Sequence, residues 1–170
     1  IDASIKILNG IKPRIFPDFR SGGMADFSNY NDGKRGGKVR VRARINIIDK
    51  TTLHITELPY SSNTSSLINS IIKANDKGKI KIKKIEDNTA EQVEISITLP
   101  SGISPDKTID ALYRFTDCEM SISPLACVIN DNQPVFNGVS ELLQISTDHT
   151  VKLLTDELKV NLKELQDKWH

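Results

Sequence analysis

Residues 31–44 read Asn-Asp-Gly-Lys-Arg-Gly-Gly-Lys-Val-Arg-Val-Arg-Ala-Arg, and this stretch decides the fold of the chain. The glycines in its first half predict a turn, because glycine tolerates a positive φ. From Lys38 to Ile47 polar and apolar residues alternate, which is typical of a strand with one face on a core. The polar face is cationic. The six cations of the stretch, called the cation row below, are Lys34, Arg35, Lys38, Arg40, Arg42 and Arg44.

Two interpretations of the cation row are open. Side chains on one face of a strand lie about 6.5–7 Å apart, which is comparable to a multiple of the ~3.4 Å repeat along a nucleic-acid strand. The row therefore fits an anion-binding face. Alternatively, the exposed face of a sheet simply needs polar residues, and cations on an edge strand discourage aggregation. The pattern fits both interpretations equally well.

Composition is that of an ordinary water-soluble domain. The chain has 170 residues, 38% hydrophobic and 26% charged, which suffices for one domain with its own core, with or without an appendage. Its net charge of +1 gives little long-range field, so binding to a polyanion must come from local clustering. No apolar run approaches the ~18 residues that span a bilayer, so we expect no membrane partner.

The cysteines and the chain ends give two further expectations. Cys118 and Cys127 fit no metal motif, and no signal peptide is visible, so we expect reduced thiols in a cytoplasmic protein. A disulfide between the two cysteines is the alternative. The chain begins with Ile1 and ends within a helical pattern, so we expect a piece of a longer protein.

The flanking segments predict an α+β fold, with a mainly antiparallel sheet and helices packed on one face. A turn at Asp49-Lys50 predicts a long hairpin over residues 38–58. Helices are predicted from capping residues and apolar residues that recur on one face, at residues 1–9, 63–77 and 104–116. Further strands are predicted at residues 24–26, 79–85, 93–99, 119–123 and 127–130.

One long helix is predicted from about Ser140 to the C-terminus. Its apolar residues form a narrow seam typical of a coiled coil, namely Leu154, Leu158, Leu162, Leu165 and Trp169. About 30 helical residues span roughly 45 Å, which is longer than a small domain needs. We therefore expect the helix to project and meet a partner helix, and folding back over the sheet is the alternative. The predicted domains are residues 1–138 and 139–170.

No motif in the sequence predicts catalysis or metal binding. Walker A, nucleophile-elbow and dinucleotide motifs are missing, and the glycines of residues 33–37 precede a strand rather than the helix of a phosphate-binding loop. Acid pairs at Glu86-Asp87 and Asp117/Glu119 could hold a metal, but such pairs are far more often solvated loop ends. The histidines lack metal-ligand spacing: His54, His149 and His170. We expect no catalytic residue and no metal ligand in this chain.

Three segments of the chain carry a family resemblance. Residues 16–23 read Phe-Pro-Asp-Phe-Arg-Ser-Gly-Gly, residues 33–44 contain the cation row, and residues 56–60 read Thr-Glu-Leu-Pro-Tyr, followed by Ser66-Leu67-Ile68. In this order they resemble the A subunit of bacterial type IIA DNA topoisomerases, the gyrase A and topoisomerase IV A family. The first is similar to the family's Pro-Asp-Phe-Pro-Thr-Gly-Gly, with Arg20 and Ser21 in place of Pro and Thr. The third is similar to its Glu-Ile-Pro-Tyr. Residues 24–31 look more like the topoisomerase IV branch.

The resemblance implies a fragment of an ATP-dependent type II DNA topoisomerase, an isomerase. The fragment would be the tower domain and the start of the coiled-coil arm, which support and contact the gate DNA. The family's catalytic tyrosine belongs to an Arg-Tyr motif that this chain lacks, so the chain alone should not cleave DNA, and the role passes to none of Tyr30, Tyr60 and Tyr113. Implied partners are double-stranded DNA, the B subunit and a second copy of the A subunit. Mg²⁺ and ATP would bind the B subunit, which leaves no cofactor in this chain.

Within this resemblance we expect the cation row to contact DNA phosphates without reading bases. Two alternatives stay open. In the first, the chain is a structural spacer or dimer-arm element without direct DNA contact. Its basic face then packs on acidic neighbours in the same subunit or the partner, and Lys79–Lys84 is a solvated strand. In the second, the chain is an unrelated basic nucleic-acid-binding module.

Overall fold

The computed structural model describes residues 1–130 and 132–169. The fold is α+β, as predicted, and the strand pairs within the described residues are antiparallel. In chain order the elements are α1 (Asp2–Leu8), β1 (Met24–Asp26), a 3-10 turn (Asn31–Gly33), β2 (Val39–Arg42), β3 (Arg44–Ile47), β4 (Thr52–Glu57), α2 (Thr64–Asp76), β5 (Lys84–Asp87), β6 (Ile95–Thr98), α3 (Pro105–Phe115), β7 (Glu119–Ile122), β8 (Cys127–Asn130), β9 (Gln133–Phe136) and α4 (Val139–Trp169).

The chain forms two compact units, each assembled from separate segments. Unit 1 contains Ile1–Pro17, Tyr30–Gly37 and Pro124–His170, of which Asp131 and His170 lie outside the described residues. Unit 2 contains Asp18–Asn29 and Lys38–Ser123. The division of the sequence at residues 138 and 139 stays a prediction.

Unit 2 contains two sheets, with strand orders β1–β2–β7 and β3–β4–β6–β5. Strands β2 and β3 belong to different sheets although only Ala43 separates them. The Ala43 N–H donates to the Cys118 carbonyl (2.8 Å), and the Ala43 carbonyl accepts from the Tyr113 hydroxyl (2.9 Å). Since these bonds hold the chain at Ala43, the strand predicted as continuous is divided between the two sheets. The hairpin predicted over residues 38–58 is therefore wrong in extent, and only β3 pairs with β4.

The core of unit 2 lies between the second sheet and helices α2 and α3. Leu53 of β4 stands opposite Ile97 of β6, Ile55 stands opposite Ile95, and all four side chains are fully buried. Side chains from both helices complete this core: Leu67, Ile71, Ala74 and Leu112. Cross-strand apolar pairs under a layer of helix are the expected result of alternation in the strands and of one apolar face on each helix.

Helix α2 begins where the sequence predicts, and of the two candidate caps, Asn63 and Thr64, it is Asn63 that caps the helix. The Asn63 side chain accepts from the Ser66 N–H (2.8 Å), and the Ser66 hydroxyl accepts from the Asn63 N–H (3.3 Å). This reciprocal capping box satisfies two backbone N–H groups that the first helical turn would otherwise leave unpaired.

The strand predicted at residues 79–85 begins only at Lys84. The backbone before it bonds to the end of α2 instead, because the Ile82 N–H donates to the Asn75 side chain (2.9 Å). The alternation still separates the side chains, since Ile80 is buried. The lysines that alternate with the isoleucines are all exposed: Lys79, Lys81 and Lys83.

Unit 1 contains α1 packed against α4 and the β8–β9 hairpin. The first turn of α4 is capped by Asp32, which accepts from the Ser140 N–H (3.2 Å) and the Ser140 hydroxyl (2.9 Å). Along α4 only Thr147 is buried, and every described side chain from Asp148 onward is exposed. The leucine seam therefore has no cover within the described residues, and its coiled-coil partner stays a prediction.

Both cysteines are free thiols. Burial raises the pKa of the Cys118 thiol to about 11, so Cys118 is an unreactive apolar core residue at neutral pH. Cys127 is exposed. Among the described residues, no helix has both the length and the apolarity needed to cross a membrane.

The core predicts a clear difference between two isoleucines. Ile97 is 0% exposed and Ile48 is 56% exposed. We expect Ile97→Ala to lower the free energy of unfolding by about 2–5 kcal/mol, because it removes buried area and leaves a cavity. The matched Ile48→Ala should change it by no more than about 0.5 kcal/mol. Urea unfolding followed by circular dichroism measures both, and equal losses would contradict this placement of the core.

Candidate nucleic-acid interface

The cation row is divided between the two units. Lys34 and Arg35 lie in unit 1, whereas Lys38 and the three arginines of β2 and β3 lie in unit 2. The predicted two-faced pattern is present: Val39, Val41 and Ala43 are buried. The arginine side chains of β2 and β3 alternate with these buried residues and are exposed or, for Arg42, half-buried.

Each arginine of the row stands opposite an acidic residue on a neighbouring strand. The pairs of directly facing residues are Arg40 with Asp26, Arg42 with Glu119, and Arg44 with Glu57. All three form ion pairs, with N···O distances of 2.5 Å for Arg40–Asp26 and 3.1 Å for Arg44–Glu57. Opposite charges on facing residues stabilise strand pairing, so the arginines have a structural role in both sheets. Their side chains remain 41–47% exposed.

Arg42 has a second neighbour. Its guanidinium lies 4.9 Å from the centre of the Tyr113 ring, within the range of a cation–π contact. The Tyr113 hydroxyl is fixed by its bond to Ala43, and burial raises the Tyr113 pKa. Tyr113 is therefore a neutral structural contact for Arg42, and its hydroxyl is already used by the backbone.

Asp26 is held in its charged form by several donors. The Ser28 hydroxyl, the Ser28 N–H and then Arg40 lower the pKa of Asp26 well below its usual value. The same ion pair raises the pKa of Arg40. Both side chains are thus charged at every pH near neutrality, and their charges cancel locally.

Glu57 connects the three motif segments. Its Oε2 accepts from the Gly23 N–H (2.6 Å) and pairs with Arg44, and the Gly23 bond, followed by Arg44, lowers the Glu57 pKa. Gly23 has φ +84°, and a Cβ there would lie only 2.6 Å from the Arg42 carbonyl oxygen. One residue or more from each motif therefore meets at this position in unit 2, where only glycine fits.

The remaining cations of the row differ in their partners. Lys34 lies 3.8 Å from the Glu141 carboxylate of α4. Arg35 and Lys38 have no carboxylate partner among the residues that the structure describes. These two residues contribute unpaired charge, whereas the arginines of β2 and β3 do not.

The structural alternative expected acidic neighbours for the basic face, but the sequence did not identify which carboxylates pair with the arginines. Asp26 and Glu119 lie 14 and 77 positions from Arg40 and Arg42, so no local pattern reveals them. The Arg44–Glu57 pair could have been predicted, because a hairpin that turns at residues 49–50 places Glu57 near Arg44.

A second group of cations includes residues of the Lys79–Lys84 segment, which the structural alternative interprets as a solvated strand. Two clefts of unit 2 share Lys79 on their rims and have volumes of about 630 and 390 Å³. The first is lined by Lys73, Lys77 and Phe115, and the second by Lys81 and Lys107. We call these lysines the lysine surface: Lys73, Lys77, Lys79, Lys81 and Lys107.

A metal site has no support in the described part of the chain, where no three His, Cys, Asp or Glu side chains form a group able to hold an ion. The acidic residues named from the sequence are used elsewhere. Glu119 pairs with Arg42, and Glu86 pairs with Lys84 (2.6 Å). His54 lies 3.9 Å from a single carboxylate, that of Glu94.

Comparison with known proteins places these motifs in one family. Residues 1–170 match a family model that describes the A subunit of DNA gyrase/topoisomerase IV. The A subunit of DNA topoisomerase 4 from Borreliella burgdorferi is 39% identical over 170 residues, covering 96% of this chain and 27% of that protein. The A subunit of DNA gyrase from Lawsonia intracellularis is 26% identical over 181 residues, covering 100% and 21%. The A subunit of DNA topoisomerase 4 from Staphylococcus epidermidis is 26% identical over 167 residues, covering 91% and 20%. The chain thus spans 20–27% of the length of these relatives.

The close approach at Gly23 gives a testable prediction. Gly23 and Gly102 have nearly equal φ, +84° and +85°, but a Cβ at Gly102 would meet nothing within 4 Å. We expect Gly102→Ala to cost about 1–2 kcal/mol of stability from its backbone conformation alone. Gly23→Ala should cost about 1–3 kcal/mol more, because the Arg42 carbonyl must move. Thermal and urea unfolding measure the difference, and equal losses would contradict the contact.

The lowered pKa of Glu57 predicts a pH effect on stability. Because the folded-state pKa lies below the unfolded value of about 4.3, this carboxylate stabilises the fold above that pH. The contribution is lost as the pH falls through the folded pKa. We expect Glu57→Gln to lower the midpoint of urea unfolding at pH 6. The difference in midpoint between this variant and the unsubstituted chain should become smaller towards pH 3.

The control is Glu91→Gln, since Glu91 is exposed and has no ion-pair partner among the described residues. It should follow the unsubstituted chain at both pH values. A Glu57→Gln gap of the same size at pH 6 and pH 3 would show that its carboxylate charge does not stabilise the fold.

Proposed function

We propose that this chain, which belongs to the family formed by the A subunits of DNA gyrase and topoisomerase IV, is a segment of an ATP-dependent type II DNA topoisomerase. Its membership of the family confirms the resemblance of its three motifs. In that isomerase it forms the tower domain and the start of the coiled-coil arm, and it supports the gate DNA during double-strand passage. Its partners are duplex DNA, a second copy of the A subunit and the B subunit, which binds Mg²⁺ and ATP in the cytoplasm. The match of the family model to all 170 residues carries this proposal.

Direct contact with DNA is supported by the exposure of the cation row. Phosphate contacts by lysine and arginine position a protein on a duplex without reading its sequence. Arg35 and Lys38 are the members whose charge no described carboxylate offsets. The paired arginines contribute when a phosphate replaces or joins the facing carboxylate, since ion pairs at exposed positions are weak.

The exposed seam of α4 supports the proposal that this helix begins a coiled-coil arm. Leu154, Leu158, Leu162 and Leu165 are all more than half exposed, and they repeat at coiled-coil spacing. A helix of this type gains stability by burying its seam against another helix. The chain by itself is a scaffold in this proposal, and DNA cleavage depends on a tyrosine elsewhere in the parent protein.

A structural spacer without DNA contact is the second candidate. The three cross-strand ion pairs favour it, because they explain Arg40, Arg42 and Arg44 without any ligand. The two candidates differ in what should happen when the carboxylates are removed.

The experiment compares two double variants of the 170-residue chain by fluorescence anisotropy with a duplex of about 30 base pairs over a salt series. Arg40→Gln/Arg42→Gln should weaken binding and reduce the slope of log K against log salt by about 1.8, because two phosphate contacts are lost. Asp26→Asn/Glu119→Gln frees the same arginines and should tighten binding.

Circular dichroism melts control for folding of both variants. Opposite effects of the two variants support phosphate contact by the arginines. Unchanged binding in both would assign the arginines to sheet pairing alone and favour the spacer.

A further inference from the structure

Residues 73–84 contain the highest density of unpaired positive charge in unit 2. The segment has six lysines and one aspartate, whereas the whole chain has a net charge of +1. Of these lysines only Lys84 has a carboxylate partner among the described residues, namely Glu86. This surface therefore differs from the arginines of β2 and β3, whose charges are cancelled by facing acids.

The fold adds Lys107 to this charge and gathers the side chains around two clefts. Lys79 lines both, so the lysine surface is continuous across them. The Lys79 ammonium lies 5.7 Å from the centre of the Phe115 ring, which is 48% exposed. The contact holds this cation at the shared rim, and one carboxylate, that of Asp117, lines the first cleft.

Structural roles account for only part of the surface. Lys73 and Lys77 lie at the C-terminal end of α2, where cations interact favourably with the helix dipole. Lysines at the edge strand β5 discourage sheet extension. Neither role applies to Lys79, Lys81 or Lys107. Lys73 and Lys77 are also four residues apart, a helical spacing at which like charges repel, so a bound anion would relieve this repulsion.

The chemistry of the surface fits a polyanion. Lysine ammonium groups act as point charges that accept many phosphate orientations. Five of them line two neighbouring open clefts, which offer positions for more than one phosphate. Lysines that neutralise the phosphates of a duplex release its counterions. A single small anion would occupy one cleft and leave the other charges unpaired.

We infer that the lysine surface is a second phosphate-binding surface for duplex DNA and carries more of the electrostatic affinity than the paired arginines. The inference rests on the proposed function, since it assumes that DNA is the polyanion. It assigns the contact to α2, α3 and the segment between α2 and β5.

The test uses the 170-residue chain and the same duplex of about 30 base pairs over a salt series. Lys73→Gln/Lys77→Gln/Lys79→Gln should reduce the salt slope by about 2.7 and weaken binding at about 0.1 M salt at least about tenfold. The matched control is Lys152→Gln/Lys163→Gln/Lys168→Gln on α4, which removes the same net charge at exposed positions and should bind nearly as the unsubstituted chain does. Thermal melts confirm that both variants are folded.

The outcomes separate the inference from the function. The inference is supported if the lysine-surface variant loses DNA affinity while the α4 control does not, and if this loss exceeds that of Arg40→Gln/Arg42→Gln. Equal loss in the α4 control would show that net charge, not this surface, sets affinity and would overturn it. Unchanged binding in the lysine-surface variant would overturn it and leave the proposed function intact. Absence of DNA binding by the unsubstituted chain would overturn both the inference and direct DNA contact.

Discussion

The register of β2 and β3 with their neighbours is the constraint on which the rest of unit 2 depends. It buries Val39, Val41 and Ala43 and at the same time places three arginines opposite three acids. Side chains alternate across a strand, so a slip of one residue would put the valines in solvent and the arginines in the core. Apolar burial and ion pairing thus favour the same register, and together they specify it more strongly than either would alone.

Gly23 shows how this register reaches distant segments. Its N–H bonds to Glu57, the acid that also faces Arg44, and its missing side chain lets the chain pass against the Arg42 carbonyl. The second glycine of the Gly22-Gly23 pair, the basic strands and the end of β4 therefore form one interlocked arrangement. Motifs that are separated along the chain therefore meet in a single close contact.

Electrostatics in this chain is a matter of placement rather than of total charge. The arginines have high local density in sequence, yet facing carboxylates offset them in the fold. The lysines of α2 and the following segment are inconspicuous in sequence because lysine is a common solvated residue. They stand out only when the ion pairs around them are known. A run of cations in the sequence therefore shows only where an anion could bind. The fold decides how much of that positive charge is left unpaired.

Sequence alone determined the features that depend on local periodicity and local backbone preference. These are the two-faced strand, the start of α2 at residue 63 or 64, the long C-terminal helix and, through its motifs, the family. Tertiary structure alone decided the division of residues 39–47 between two sheets, the late start of β5, and the partners of the arginines. The reason is physical. Alternation specifies which face a side chain occupies, but hydrogen bonds and carboxylates from residues up to 77 positions away decide which strand pairs with it and whether its charge remains free.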